Sequence, residues 1–168
     1  MFEGIAPYFF SSRKREARAR SLRGYRVFQT PTIKHKRQIP KGQTALLVRN
    51  DCPATQLDLP GLCSKNRGII AAKICPPGQK PFVAASAYCR PGNISVEPYT
   101  WPEMLKQTAQ NLPLLIGGDF NAHNPAWSVS RPNKRGRYLY EAIKLSSVEI
   151  INTPDTPTRI VVHKRHDP

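Results

Sequence analysis

The stretch Leu114-Leu-Ile-Gly-Gly-Asp-Phe-Asn-Ala-His-Asn-Pro-Ala-Trp127 carries most of the structural information in this sequence. Its apolar start is typical of a buried strand, and the two glycines that follow allow a tight turn or a close approach to another group. Asp119 and Asn121 come next, and in an extended chain both side chains point to the same side. The pattern therefore predicts a strand of an α/β sheet that ends in polar side chains, where such sheets bind ligands.

Asp119 and Asn121 allow two interpretations. A carboxylate only accepts hydrogen bonds and an amide both donates and accepts, so together they can orient a water molecule and stabilise the oxygen that it attacks. In the alternative, the segment is an Asx-rich turn in which both side chains bond only to their own backbone. The residues alone leave both interpretations open.

The segments around this stretch predict a layered α/β fold. Short β-rich runs separated by Pro and Gly come first, and helices then alternate with strands. The predicted strands are 25–29, 44–48, 69–75, 82–88, 114–116, 148–151 and 159–162. The predicted helices are 99–112 and 135–146.

The length and charge limit the classes of function. The 168 residues correspond to one domain at most, and 26 Lys+Arg against 11 Asp+Glu give a formal net charge of +15. Such an excess favours a polyanionic partner. No apolar run is long enough for a membrane helix, and the start does not resemble a signal peptide. We therefore expect a nuclear or cytoplasmic protein, not secreted and with no membrane partner.

Basic residues are concentrated near the start of the chain. Ten of them lie between positions 13 and 37, where Glu16 is the only acid. A charge run of this kind is typical of a solvated or disordered arm. We therefore predict a basic, poorly ordered arm at residues 1–23 and a domain at residues 24–168.

The four cysteines give no sign of a metal site. Cys52, Cys63, Cys75 and Cys89 are ten or more residues apart and include no C-x-x-C pair. We expect all four to be reduced and structural.

The segment Gly117-Gly-Asp-Phe-Asn-Ala-His-Asn-Pro-Ala-Trp127 resembles the signature of the endonuclease/exonuclease/phosphatase superfamily. It is most similar to the endonuclease domain of non-LTR (LINE-like) retrotransposons. Weaker similarities lie in the expected order and extend the resemblance over roughly residues 24–168. They are found at residues 24–27 together with 44–48, at 88–91, at 135–139, and at 152 together with 157–158. The resemblance implies a layered sandwich of two mixed β-sheets flanked by helices.

The resemblance also implies divalent-metal-dependent hydrolysis of a phosphodiester in DNA. In that family the residue matching Asp119 activates or positions the attacking water, and the one matching Asn121 holds the scissile phosphate. The residue matching Tyr88 supports the phosphate or the leaving group. The cofactor is Mg²⁺ (or Mn²⁺) held by carboxylates, and the domain is normally fused to a reverse transcriptase, which is absent here.

Three further residues are candidates for nucleic-acid binding. Thr158 matches a threonine on the DNA-binding side of the family's site, and Arg135 belongs to the helix that follows the signature. His123 either fixes the loop through hydrogen bonds or contacts DNA.

The sequence also departs from the family pattern. No block resembling the family's opening strand precedes residue 24. Glu16, eight residues before Gly24, is nevertheless a candidate for the family's metal ligand. The alternative is that Glu16 is a solvated acid within the arm. The closing Ser-Asp-His element is not found either, since Arg165-His-Asp-Pro168 lacks the serine. We therefore expect an incomplete fold, truncated at both ends, and an impaired enzyme.

Three functions follow from these observations. The first is a DNA endonuclease that nicks its substrate, and the second is a non-catalytic nucleic-acid-binding remnant of that domain. The third is a small-molecule phosphatase or phosphodiesterase of the same superfamily. The charge disfavours the third, because a long polyanion accounts for +15 better than a small phosphate does.

Overall fold

A computed structural model describes residues 5–10, 22–30, 43–64, 66–91, 101–129, 131–146 and 148–152, with the backbone alone for 5–10. The chain divides into two compact units, residues 1–121 and residues 122–168. Neither helix in the described ranges is long and apolar enough to cross a membrane.

The first unit is built mainly from strands. Its described residues form β1 (Ile5–Phe10), β2 (Tyr25–Gln29), β3 (Gln43–Arg49), β4 (Ala54–Gln56), β5 (Arg67–Ile74), β6 (Phe82–Cys89), α1 (Trp101–Thr108) and β7 (Leu114–Asp119).

These strands form two sheets. One has the order β1-β3-β2 and is antiparallel, and the other has the order β4-β5-β6-β7. In the second sheet β4, β5 and β6 are antiparallel, whereas β6 and β7 are parallel. Parallel neighbours need a crossover connection, and this one contains α1. The predicted α/β class with two sheets is confirmed, with the correction that the described three-stranded sheet is purely antiparallel rather than mixed.

Both sheets contribute to one apolar core. Alternate residues of three strands meet there, as expected when every second side chain points to the same face. The buried cluster consists of Leu46, Val48, Ile70, Ala72, Ile74, Phe82 and Ala84. Beside it, the hydroxyls of Thr44 on β3 and Ser86 on β6 share a hydrogen bond, so the two buried polar side chains satisfy each other.

Strand β1 differs from the arm predicted for residues 1–23. The backbone of Ile5–Phe10 pairs with β3 over six positions, from Ile5 opposite Val48 to Phe10 opposite Gln43. Of the described strands β1 lies at the edge of its sheet, a position that tolerates Pro7. Its run is too short for a reliable periodicity, which is why the sequence did not indicate it. Residues 11–21, including Glu16, lie outside the described residues.

The second unit contains α2 (Lys134–Lys144), close to the predicted helix 135–146. The strand predicted at 148–151 is wrong, because the described residues 148–152 form no strand. A strand needs a neighbour for its backbone hydrogen bonds, and the 75% exposure of Ile151 indicates that this segment is not packed into a sheet. The strand predicted at 159–162 lies outside the described residues.

Candidate active site

The candidate site of the first unit lies where β6 and β7 end. Their parallel register places Tyr88 opposite Asp119, and residues opposite each other in a sheet project to the same face. One step earlier, Gly118 lies opposite Ala87, and a Cβ at Gly118 would overlap the Ala87 carbonyl. Glycine at this position therefore permits the close pairing that brings Asp119 beside Tyr88.

A short turn follows β7 and fixes the two polar residues of the signature. The Asn121 backbone N–H donates to Asp119 Oδ1 at 3.1 Å, which is an Asx turn. Asn121 itself has φ +47°, in the left-handed region that asparagine adopts more readily than most residues. Its Nδ2 donates to the carbonyl oxygen of Cys89, at the end of β6, at 2.7 Å.

This geometry combines the two interpretations that the sequence left open. Asp119 does form the turn, but the Asn121 amide bonds to a neighbouring strand and not only to its own backbone. The turn is thus tied to the ends of both strands. Asp119 remains exposed and Asn121 is half-buried, so the carboxylate is accessible to a ligand at the edge where α/β sheets bind theirs.

The donor atoms at this edge fit a loosely held Mg²⁺. Mg²⁺ usually keeps several waters and binds one or two carboxylates together with phosphate oxygens of the substrate. The exposed Asp119 carboxylate matches that description. No group of three or more His, Cys, Asp or Glu side chains suited to a metal is found among the described residues. One exposed carboxylate suits a cation held jointly by protein and substrate. Glu16, the predicted metal ligand, lies outside the described residues.

In the second unit, Asn133 fixes the loop that carries His123. Asn133 Oδ1 accepts the N–H groups of Gly136, at 2.7 Å, and of His123, at 3.2 Å. The Asn133 backbone N–H in turn donates to the His123 carbonyl at 3.0 Å. These bonds hold the His123 backbone, while its imidazole is exposed. Contact between His123 and DNA therefore stays a prediction.

The sequence did not single out Asn133, although a signal was present. Asparagine immediately before a helix is a favoured N-cap, and Asn133 directly precedes α2. The same loop also contains Trp127, whose Nε1 donates to the Ala122 carbonyl at 2.8 Å and whose ring lies 6.3 Å from that of Tyr140.

The other predicted nucleic-acid contacts have separate outcomes. Arg135 lies in the first turn of α2 and is only 7% exposed. Thr158 lies outside the described residues. Neither position is tested as a DNA contact, and both stay predictions.

Comparison with known proteins agrees with the resemblance. The family model described as endonuclease-reverse transcriptase matches residues 82–167, just over half of the chain. The solved endonuclease domain of TRAS1, a telomere-specific non-LTR retrotransposon, is similar with a TM-score of 0.60 and 26% identity. The match covers 82% of this chain and 59% of that one, so the chain spans about three-fifths of the TRAS1 structure.

No match was found among curated proteins. The matched residues 82–167 contain β6, β7, the Asp119–Asn121 turn and α2. The similarity predicted from the Gly117–Trp127 segment is confirmed, and this chain belongs to the endonuclease-reverse transcriptase family.

Proposed function

We propose that this chain is a divalent-metal-dependent endonuclease domain that nicks DNA by hydrolysing a phosphodiester bond. Membership in the family supports a nuclease in general. The observation that carries the specific proposal is the turn after β7, which holds an exposed Asp119 carboxylate and ties the Asn121 amide to the end of β6. The net charge of +15 supports DNA as the partner.

Each residue has a proposed task. Asp119 orients the attacking water and accepts its proton, and the Asx turn fixes the direction of the carboxylate. The Asn121 amide binds a non-bridging oxygen of the scissile phosphate, where a fixed donor stabilises developing charge. Tyr88, opposite Asp119 in the sheet, supports the phosphate or the leaving oxygen.

Mg²⁺ or Mn²⁺ would be held by Asp119 and substrate oxygens, with Glu16 as a proposed further ligand, and would neutralise the charge on the phosphate. We further propose that the domain acts together with a reverse transcriptase, in the nucleus or the cytoplasm.

Plasmid nicking tests the proposal. The purified chain is incubated with supercoiled plasmid and Mg²⁺, and nicking is followed as conversion to the relaxed form. Loss of a general base slows a reaction by about 10²–10⁴-fold, so we expect Asp119→Ala to abolish detectable nicking and EDTA to do the same. Asp58→Ala removes an exposed carboxylate elsewhere in the first unit and is expected to nick normally. Equal nicking by both variants would contradict the proposal.

The alternative is a nucleic-acid-binding domain without cleavage. It is supported by the net charge of +15, which favours a long polyanion as the partner whether or not the chain cleaves it. Salt-sensitive DNA binding with no Mg²⁺-dependent nicking would favour this alternative.

A further inference from the structure

The surface around the start of α2 is strongly basic. Between residues 120 and 140 the sequence has no Asp or Glu, and it has four basic residues. Arg131, Lys134 and Arg137 are exposed, whereas Arg135 is buried. We call the three exposed cations the α2 basic face.

These charges are unfavourable for the helix itself. The N-terminal end of a helix carries a positive partial charge, so acidic side chains stabilise the first turn and basic ones oppose it. The first turn of α2 contains no acid, and Lys134 and Arg137 lie within about one turn of its start. Helix stability therefore does not explain the placement of these charges, and an anionic partner does.

The backbone amides of the helix end are not the basis of this face. Asn133 Oδ1 already accepts the Gly136 N–H and caps the helix. The α2 basic face consists instead of long, exposed side chains at every third position, 131, 134 and 137. Lys134 and Arg137 are separated by about 4.5 Å of helix rise, and each strand of duplex DNA carries one phosphate for about every 3.4 Å of the duplex axis. The cations can therefore reach different phosphates.

Tyr138 favours contact with a phosphate backbone over contact with unpaired bases. Lys134 Nζ lies 5.8 Å from the centroid of the Tyr138 ring, a cation–π distance. This contact holds the ammonium group close to the helix surface. It also occupies part of the ring that a base would need for stacking, although Tyr138 is 39% exposed.

We propose that the α2 basic face binds the phosphate backbone of duplex DNA, as a contact surface formed by Arg131, Lys134 and Arg137. The choice of DNA as the partner rests on the proposed function, but the binding does not require cleavage. Because Arg135 is buried, the exposed cations on either side of it make the contact.

The test is the salt dependence of DNA binding without divalent metal, where nicking cannot occur. Anisotropy of a short labelled duplex is measured over a series of KCl concentrations. Each phosphate contact adds about 0.9 to the slope of log K against log salt concentration. For Arg131→Gln/Lys134→Gln/Arg137→Gln we therefore expect weaker binding and a slope shallower by about 2.7.

The matched control removes the same charge elsewhere. Arg23→Gln/Lys73→Gln/Lys80→Gln neutralises three exposed cations of the first unit. It is expected to keep most of the slope. A loss as large as that of the α2 variant would overturn the proposal, because it would mean that net charge and not this face determines binding. An affinity for single-stranded RNA equal to that for the duplex at the same salt concentration would also overturn the choice of duplex DNA.

A folding defect is separated from lost contacts by a charge-retaining variant. The triple variant Arg131→Lys/Lys134→Arg/Arg137→Lys keeps all three charges and should keep the wild-type slope. A shallower slope for this variant would contradict the proposal even if the glutamine variant unfolds. Thermal unfolding of both variants is measured alongside. The wild-type chain separates the two proposals: absence of Mg²⁺-dependent nicking by the wild type, with this slope difference intact, would refute the proposed enzyme and leave the α2 basic face standing.

Discussion

Two asparagines anchor loops in this protein, one in each unit, and they do so in opposite ways. Asn121 acts as a donor, through Nδ2 to the Cys89 carbonyl, from a left-handed backbone with φ +47°. Asn133 acts as an acceptor, through Oδ1 for two N–H groups, from an extended backbone with φ −108°. The first anchor holds the candidate active site, and the second holds a loop at the start of a helix.

Each anchor is accompanied by a glycine that allows two backbones to come close. Gly118 faces the carbonyl of Ala87, and Gly136 faces that of His123. Each region thus contains one glycine at a close approach and one asparagine that bonds to the backbone. Asn121 bonds through Nδ2 and Asn133 through Oδ1. An amide can donate and accept, whereas a carboxylate can only accept. Replacement of asparagine by aspartate should therefore separate the two anchors.

The largest expected effect is that of a methyl group at either glycine. Gly118→Ala and Gly136→Ala would each place Cβ against a backbone carbonyl that cannot move away cheaply. We expect each variant to lose about 3 kcal/mol of the free energy of unfolding, the upper part of the range for overpacking. Urea denaturation measures it. Gly61→Ala has open space around the new Cβ and a φ of +76°, so it should cost only about 1 kcal/mol of backbone strain. Equal losses in all three variants would show that close approach is not the reason for these glycines.

Aspartate at the two asparagines should produce unequal results. Asn121→Asp loses the donor to the Cys89 carbonyl and places a carboxylate oxygen against it, so we expect a loss of about 2 kcal/mol of the free energy of unfolding and no nicking. Asn133→Asp keeps the acceptor, and aspartate is a favoured N-cap that also suits the helix dipole. Its stability should stay within about 0.5 kcal/mol of the wild type or rise. Comparable destabilisation of both variants in urea would remove the distinction between a donor anchor and an acceptor anchor.

The backbone contribution of Asn121 can be separated from that of its amide. Glycine adopts the left-handed region without cost, while alanine does not, so Asn121→Gly should be more stable than Asn121→Ala by about 1 kcal/mol. Both lack the amide and should lose nicking alike. If Asn121→Gly nicked plasmid at the wild-type rate, the amide would have no part in the chemistry.

The smallest expected effect concerns Trp127 in the loop of the second unit. Trp127→Phe removes the Nε1 donor to the Ala122 carbonyl and should cost about 1 kcal/mol of the free energy of unfolding. Tyr138→Phe keeps its ring beside Lys134 and should change that free energy by less than about 0.5 kcal/mol. Thermal and urea unfolding of the two variants give the comparison, and a larger loss for Tyr138→Phe would contradict it.

Much of the fold was predictable from local patterns. The strand at 25–29 matches β2 at both ends, and those at 44–48 and 82–88 match β3 and β6 to within a residue. These strands carry long apolar or alternating runs. By contrast β4 has only the three residues Ala54–Gln56, and β1 contains Pro7, so neither has a strong pattern of its own. Both are stabilised as strands by pairing with a longer neighbour. The same dependence on a neighbour applies to the segment 148–151, which has a strand-like composition but is not a strand in the described residues.

The sequence by itself determined the order of the longer elements from β2 to α2, the excess of positive charge and the residue types that follow β7. It singled out Asp119 and Asn121 as candidates because a carboxylate and an amide two residues apart follow an apolar strand and two glycines. Only the tertiary structure decided that Tyr88 lies opposite Asp119, that the Asn121 amide bonds to a carbonyl 32 residues away, and that Arg137 is exposed while Arg135 is buried. The reason is physical: hydrogen-bond partners and burial depend on segments that are distant in the chain, and local residue patterns do not specify them.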